Sequence, residues 1–84
     1  MSDFTDLYDI DIDDYRELAM ARINAHKKFD LLWIFGHMTR SQAYTWLAKE
    51  LCMPKSLCHI ANFDEEDCSR VEDLVDKYWR DLND

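Results

Sequence analysis

The sequence predicts an all-α domain: a small bundle of three to four helices with an acidic N-terminal arm. Three observations predict it. The 84 residues include one Gly and one Pro, too few turn formers for a multi-stranded sheet but enough for helices joined by short loops. Apolar residues recur three and four positions apart over three stretches, the period of a helix with one buried face. Helix-start residues stand ahead of the second and third of these segments. The chain divides into an arm, residues 1–13, and a helical domain, residues 14–84.

In the arm, Ile10 and Ile12 alternate with Asp9, Asp11 and Asp13, the period of a strand. Asp3, Asp6, Asp9 and Asp13 recur at helical spacing. No second strand is visible to pair with, so an extended or frayed arm is expected, with Phe4, Leu7 and Tyr8 against the helices. The first helix is predicted from Asp14 to Phe35, with a stripe of Tyr15, Leu18, Arg22, Ala25, Phe29, Leu32 and Trp33. Arg22 interrupts that stripe, but its aliphatic stem can lie along it. Gly36 is the natural residue to stop this helix. Thr39-Arg40-Ser41-Gln42 fits a capping box, with Met38 and Ala43 as the hydrophobic staple, and opens a helix from Arg40 to Leu51. Ala43, Tyr44, Trp46, Leu47 and Leu51 face inward; Arg40, Thr45 and Lys49 face outward. Pro54 ends the helix or opens a short turn over 54–60. Asp64 caps the last helix and Phe63 can staple to Cys68. Cys68, Val71, Leu74, Val75, Tyr78, Trp79 and Leu82 form its stripe.

A domain of this size buries only roughly 60–65% of the surface its unfolded chain exposes. Three Trp, four Tyr and four Phe compensate with bulky core groups. No apolar run approaches the roughly 20 residues that span a bilayer, and the acidic start MSDFTDLYD is wrong for a secretory or transit signal. Three cysteines complete no disulfide framework. A cytoplasmic protein with no membrane partner is expected.

Charge is gathered at the two ends. Residues 1–14 carry −6, residues 64–84 carry −6, and residues 15–63 carry +4, for a net −8. That balance opposes general affinity for nucleic acid, which needs Lys and Arg to displace counterions. It suits a partner with a basic groove.

The segments AHKKFDLLW, MTRSQAYTWLAKEL and CHIANFDEEDC carry a resemblance. They are similar to the C-terminal half of a family of zinc-finger-containing phage and prophage proteins of uncharacterised function. The matching positions include Ala25, His26, Phe29, Asp30, Leu32, Trp33, Arg40, Ala43, Tyr44, Trp46, Leu47, Ala48, Cys58, His59, Ile60, Phe63, Asp64 and Cys68. The family opens with a zinc ribbon of paired cysteines. Here an aspartate-rich arm stands in that place, so nothing done through the metal domain is carried over. The resemblance implies a phage or mobile-element origin and a shared helical fold.

Cys52, Cys58, His59 and Cys68 lack the close cysteine pair of a zinc chelate, so Cys58 and Cys68 are expected as small buried hydrophobes. His59 would then bond a helix-end carbonyl or the Asp64 carboxylate. No metal, cofactor or small-molecule substrate is expected. Adjacent Cys58 and His59 are poorly placed for an oriented nucleophile–base pair, and one glycine disfavours a glycine-loop backbone cradle for phosphate, so catalytic residues are not assigned.

The expected partner-binding residues are Asp3, Asp6, Asp9, Asp11, Asp13 and Asp14 with Asp64, Glu65, Glu66 and Asp67. In an extended arm, alternate aspartates would lie about 6.6–7 Å apart, close to the spacing of phosphates along a strand. The expected function is a small acidic phage or mobile-element protein that binds a host protein with a basic nucleic-acid-binding surface. Such a protein would inhibit a nucleic-acid-handling defence complex, of the anti-CRISPR or anti-restriction type, by mimicking nucleic acid. One alternative is a helix-turn-helix-like DNA-binding accessory protein using Arg40, Gln42, Thr45 and Lys49. Another is a homo-oligomeric scaffold, a homodimer for example, that covers Trp33, Trp46 and Trp79.

Overall fold

The computed structural model describes residues 2–83, with side chains from Tyr15 onward. Three helices follow one another: α1 (Ser2–Ile34), α2 (Arg40–Glu50) and α3 (Glu65–Asn83). Two single 3₁₀ turns, Lys55–Leu57 and Ile60–Asn62, join α2 to α3. The described residues include no strand. The all-α fold follows the helical periods, and α1 packs chiefly on α3 and less on α2.

The helix ends obey local chemistry. Thr39 Oγ1 accepts from the Gln42 amide at 3.1 Å, and the Gln42 side chain accepts from the Thr39 amide at 2.9 Å, closing the capping box. Asp64 Oδ1 accepts from the Asp67 amide at 2.8 Å and caps α3. Phe63 and Cys68 are both buried, as a staple requires. Gly36, at φ +76°, follows α1, and its amide donates to the Trp33 carbonyl at 3.2 Å. The end of α2 is less usual. Cys52 sits at φ +57°, its amide donating to Lys49 and the Met53 amide to Ala48. This is a Schellman stop built on a cysteine, in a conformation that costs a non-glycine residue about 1–2 kcal/mol.

The core takes Ala25, Phe29 and Leu32 from α1, and Ala43, Leu47, Ala48 and Leu51 from α2 and its cap. Cys58, Ile60 and Phe63 enter from the connection, and Cys68, Val71 and Val75 from α3. Each large apolar side chain buried here contributes about 1.5–3 kcal/mol. Arg22 does more than lay its stem on the core: its Nε donates to the Phe63 carbonyl at 2.7 Å, tying α1 to the start of α3. Aromatic edges close the far end of the body. Tyr78 meets Trp46 at 5.7 Å and Trp79 at 5.4 Å between centroids, and His37 meets Trp79 at 4.8 Å.

Several expectations are corrected. The backbone is helical from Ser2, not from Asp14, so the aspartate spacing with helical period prevails over the strand-like alternation of Ile10 and Ile12. The separation expected between alternate aspartates of an extended arm therefore does not apply; the helix rises only about 4.5–6 Å between Asp6 and Asp9 or Asp9 and Asp13. Tyr15 is 70% exposed rather than inward, since α1 outruns the helices packed on it. Leu82 is 49% exposed for the matching reason at the end of α3. Residues 54–60, read as one turn, belong to two 3₁₀ turns with a break at Cys58 and His59.

Candidate functional site

Of the expected partner-binding residues, the side chains of Asp3, Asp6, Asp9, Asp11, Asp13 and Asp14 lie outside the described residues. The remaining four sit together at the start of α3. Asp64, Glu65 and Glu66 are exposed and Asp67 is half-buried. Asp67 lies 3.7 Å from Arg70 one turn on, and that is the one ion pair this cluster makes among the described residues. The carboxylates complement the positive helix end and leave their negative field facing solvent. Further along α3 the charge is spent internally: Lys28 Nζ lies 2.9 Å from Asp76 and 3.6 Å from Glu72. The hydrogen bond that Lys28 donates to Asp76 chiefly raises the Lys28 pKa, against a smaller opposing effect of burial.

A second surface was missed in the sequence. On α1, Met20, Ile23, Leu31 and Ile34 lie on the side opposite Ala25, Phe29 and Leu32, and each is at least a third exposed. With Lys27 among them they recur at 3, 4, 4 and 3 positions. Phe35, 66% exposed, extends this strip at the C-terminal end. The signal was in the sequence, but the inner stripe carries the larger residues and drew the reading.

Three of the four α2 residues of the helix-turn-helix reading, Arg40, Gln42 and Thr45, are engaged locally, and Lys49 is exposed. The Arg40 guanidinium lies 5.5 Å from the centroid of the Tyr44 ring. Gln42 is part of the capping box, and Thr45 donates to the Ser41 carbonyl at 3.0 Å. Residues 51–64 separate α2 from α3, far more than the roughly 3–4-residue turn of that motif. Lys55 Nζ reaches back to Ser41 Oγ at 3.2 Å. Arg40, Ser41, Tyr44, Lys55, Cys58 and His59 line a wide surface cavity, open to solvent, of about 500 Å³. Sequence reading missed it because Lys55 and Ser41 are brought together by the turn after Pro54. His59 is exposed on this wall and, among the described residues, its ring bonds neither a helix-end carbonyl nor Asp64 as expected.

The cysteines divide by environment. Cys52 is exposed, while Cys58 and Cys68 are 1% and 0% exposed and unpaired. Burial pushes both buried thiols above the ordinary 9.0. For Cys68 the carboxylates of Asp64, Asp67 and Glu72 add to the rise and Arg22 opposes it. A raised folded-state pKa favours the neutral thiol, so this contribution to stability is intact below about pH 9 and is lost as pH climbs through the raised values. Lys28 acts in the same sense above about 10.5. Urea midpoints measured from pH 8 to 11 should therefore fall, and the fall should flatten in the Cys58→Ala/Cys68→Ala variant. Parallel pH profiles for the two proteins would refute this origin.

No curated protein and no solved structure matches the chain. One family model does match, that of a zinc-finger-containing domain, over residues 12–78. Zinc needs about four N or S donors converging at tetrahedral corners. Among the described residues no three His, Cys, Asp or Glu side chains converge on a point that could hold an ion, and burial favours protonation of the two inner thiols over thiolate ligation. The described side chains do not fit a zinc centre. Matched over most of its length, the chain belongs to the zinc-finger-containing domain family.

Proposed function

We propose that this chain is a protein-binding factor, and that its partner combines a basic surface with an apolar groove. The outer face of α1 carries the reading. A helix apolar on two opposite sides has one more face than its own fold covers, and an exposed apolar strip of this kind supports reading it as an interaction surface. The carboxylates of Asp64, Glu65 and Glu66, exposed and without an ion pair among the described residues, would add the charge that a basic partner meets. No helix among the described residues is long and apolar enough to cross a membrane.

In its finer form, the proposal is a phage or mobile-element protein that occupies the nucleic-acid groove of a host defence complex. Asp3, Asp6, Asp9, Asp11 and Asp13 would be the mimic of phosphates. The immobilised chain should retain from host-cell lysate a nucleic-acid-binding protein that added duplex DNA displaces. Retention should fall at least tenfold when those five aspartates are changed to Asn, with the helical circular-dichroism signal unchanged. Equal retention by the Asn variant would end the mimicry reading. Loss of retention with Ile23→Asp and Ile34→Asp but not with the Asn changes would leave the apolar strip as the contact and remove the aspartates from it.

A further inference from the structure

We propose that the cavity between the start of α2 and the turn after Pro54 binds the dianionic phosphate of a small phosphate monoester. This site is separate from the protein-binding reading above and uses none of its residues.

The chain carries 18 acidic residues, yet none of them lines this cavity, and two cations do. Among the described residues neither Arg40 nor Lys55 makes an ion pair. Both are held by neutral groups instead. Tyr44 supports the Arg40 guanidinium through its ring at 5.5 Å. Ser41 Oγ accepts from Lys55 Nζ at 3.2 Å. These anchors restrict two long side chains without neutralising them, so the entropy cost of ordering them is partly met before any ligand arrives.

The backbone adds to the same field. The capping box occupies the Gln42 and Thr39 amides. The amides of Arg40 and Ser41, the first two residues of α2, remain at the positive end of the helix beside the cavity.

A phosphate monoester fits this arrangement better than other anions. It carries a charge of about −1.5 to −2 near neutrality, which matches two cations and a helix end. The arginine fork suits two phosphate oxygens at once. At about 500 Å³, the cavity has room for a small ester beyond the phosphate itself. Tyr44, Cys58 and His59 supply the remaining wall.

The test is a titration of the ¹⁵N-labelled full chain, followed by NMR at constant ionic strength. The probes are inorganic phosphate, ribose 5-phosphate and, as a monoanionic diester, dimethyl phosphate. Saturable shifts are expected at Arg40, Ser41, Lys55 and His59 with the first two. Dimethyl phosphate should bind roughly tenfold more weakly, as should the monoesters to Arg40→Gln or Lys55→Gln. Ser41→Ala keeps every charge but unhitches Lys55, and should weaken binding severalfold. Stronger saturation by ribose 5-phosphate than by inorganic phosphate would identify the ester, and the reverse the free ion; either result keeps the site. The proposal is overturned if chloride reproduces the shifts, if dimethyl phosphate binds as well, or if all three variants bind like the parent chain.

Discussion

Phe29→Ala is expected to leave the chain largely unfolded at 25 °C. Phe29 has no exposed surface, and its ring meets Tyr44 at a centroid distance of 4.7 Å and 60°. It therefore joins α1 to α2 at the centre of the one core. Removing such a ring costs about 3–5 kcal/mol in lost transfer energy and unfilled cavity. A domain of this length has a total stability of about 4–13 kcal/mol, and its small size places it toward the low end. The loss then takes most of the margin. Urea unfolding followed by circular dichroism should show a midpoint near zero denaturant, with near-ultraviolet signals from the tryptophans collapsed. Phe29→Leu, which keeps most of the volume, should cost about 1–1.5 kcal/mol. A stability loss below about 1 kcal/mol for the alanine variant would mean that α1 and α2 are not held through this ring.

What the sequence made legible depended on whether a signal was local. Thr39 and Gln42, Asp64, and Gly36 are each read within four residues of the backbone group they satisfy, and all three perform the expected task. The inner stripes of α2 and α3 are equally local, since burial follows the helical period. Extent is different. Nothing in the Tyr15 or Leu82 neighbourhood says where the opposing helix ends, so both were placed inward and both are exposed. The stop at Cys52 was hidden because left-handed backbone is signalled by glycine, and the helix spends strain there instead. The cavity at Arg40 and Lys55 depends on contacts between segments separated by a turn, and no period along the chain encodes them. The acidic cluster was visible as composition, but its open field could be recognised only once Arg70 proved to be its one ion-pair partner among the described residues.

Arg22 gives the second large effect, and one that separates two explanations of a charged residue inside an apolar stripe. Its stem lies along the core while its Nε reaches the Phe63 carbonyl, 41 positions away. That carbonyl lies immediately before the Asp64 cap, so the bond fixes where α3 begins relative to α1. Arg22→Met keeps the packing of the stem and removes the donor. A half-buried carbonyl losing a charged donor should cost about 1.5–3 kcal/mol. Because the acceptor is neutral, the cost should persist in 0.5 M salt, whereas the exposed Lys28 pair with Asp76 is worth about 0–1 kcal/mol and should be screened. Hydrogen exchange should localise the damage: amides of the second 3₁₀ turn and the first turn of α3 should open faster, while α2 keeps its protection. If the methionine variant matches the parent in stability and exchange, the arginine is retained for its stem alone and the bond contributes nothing to the docking of α3.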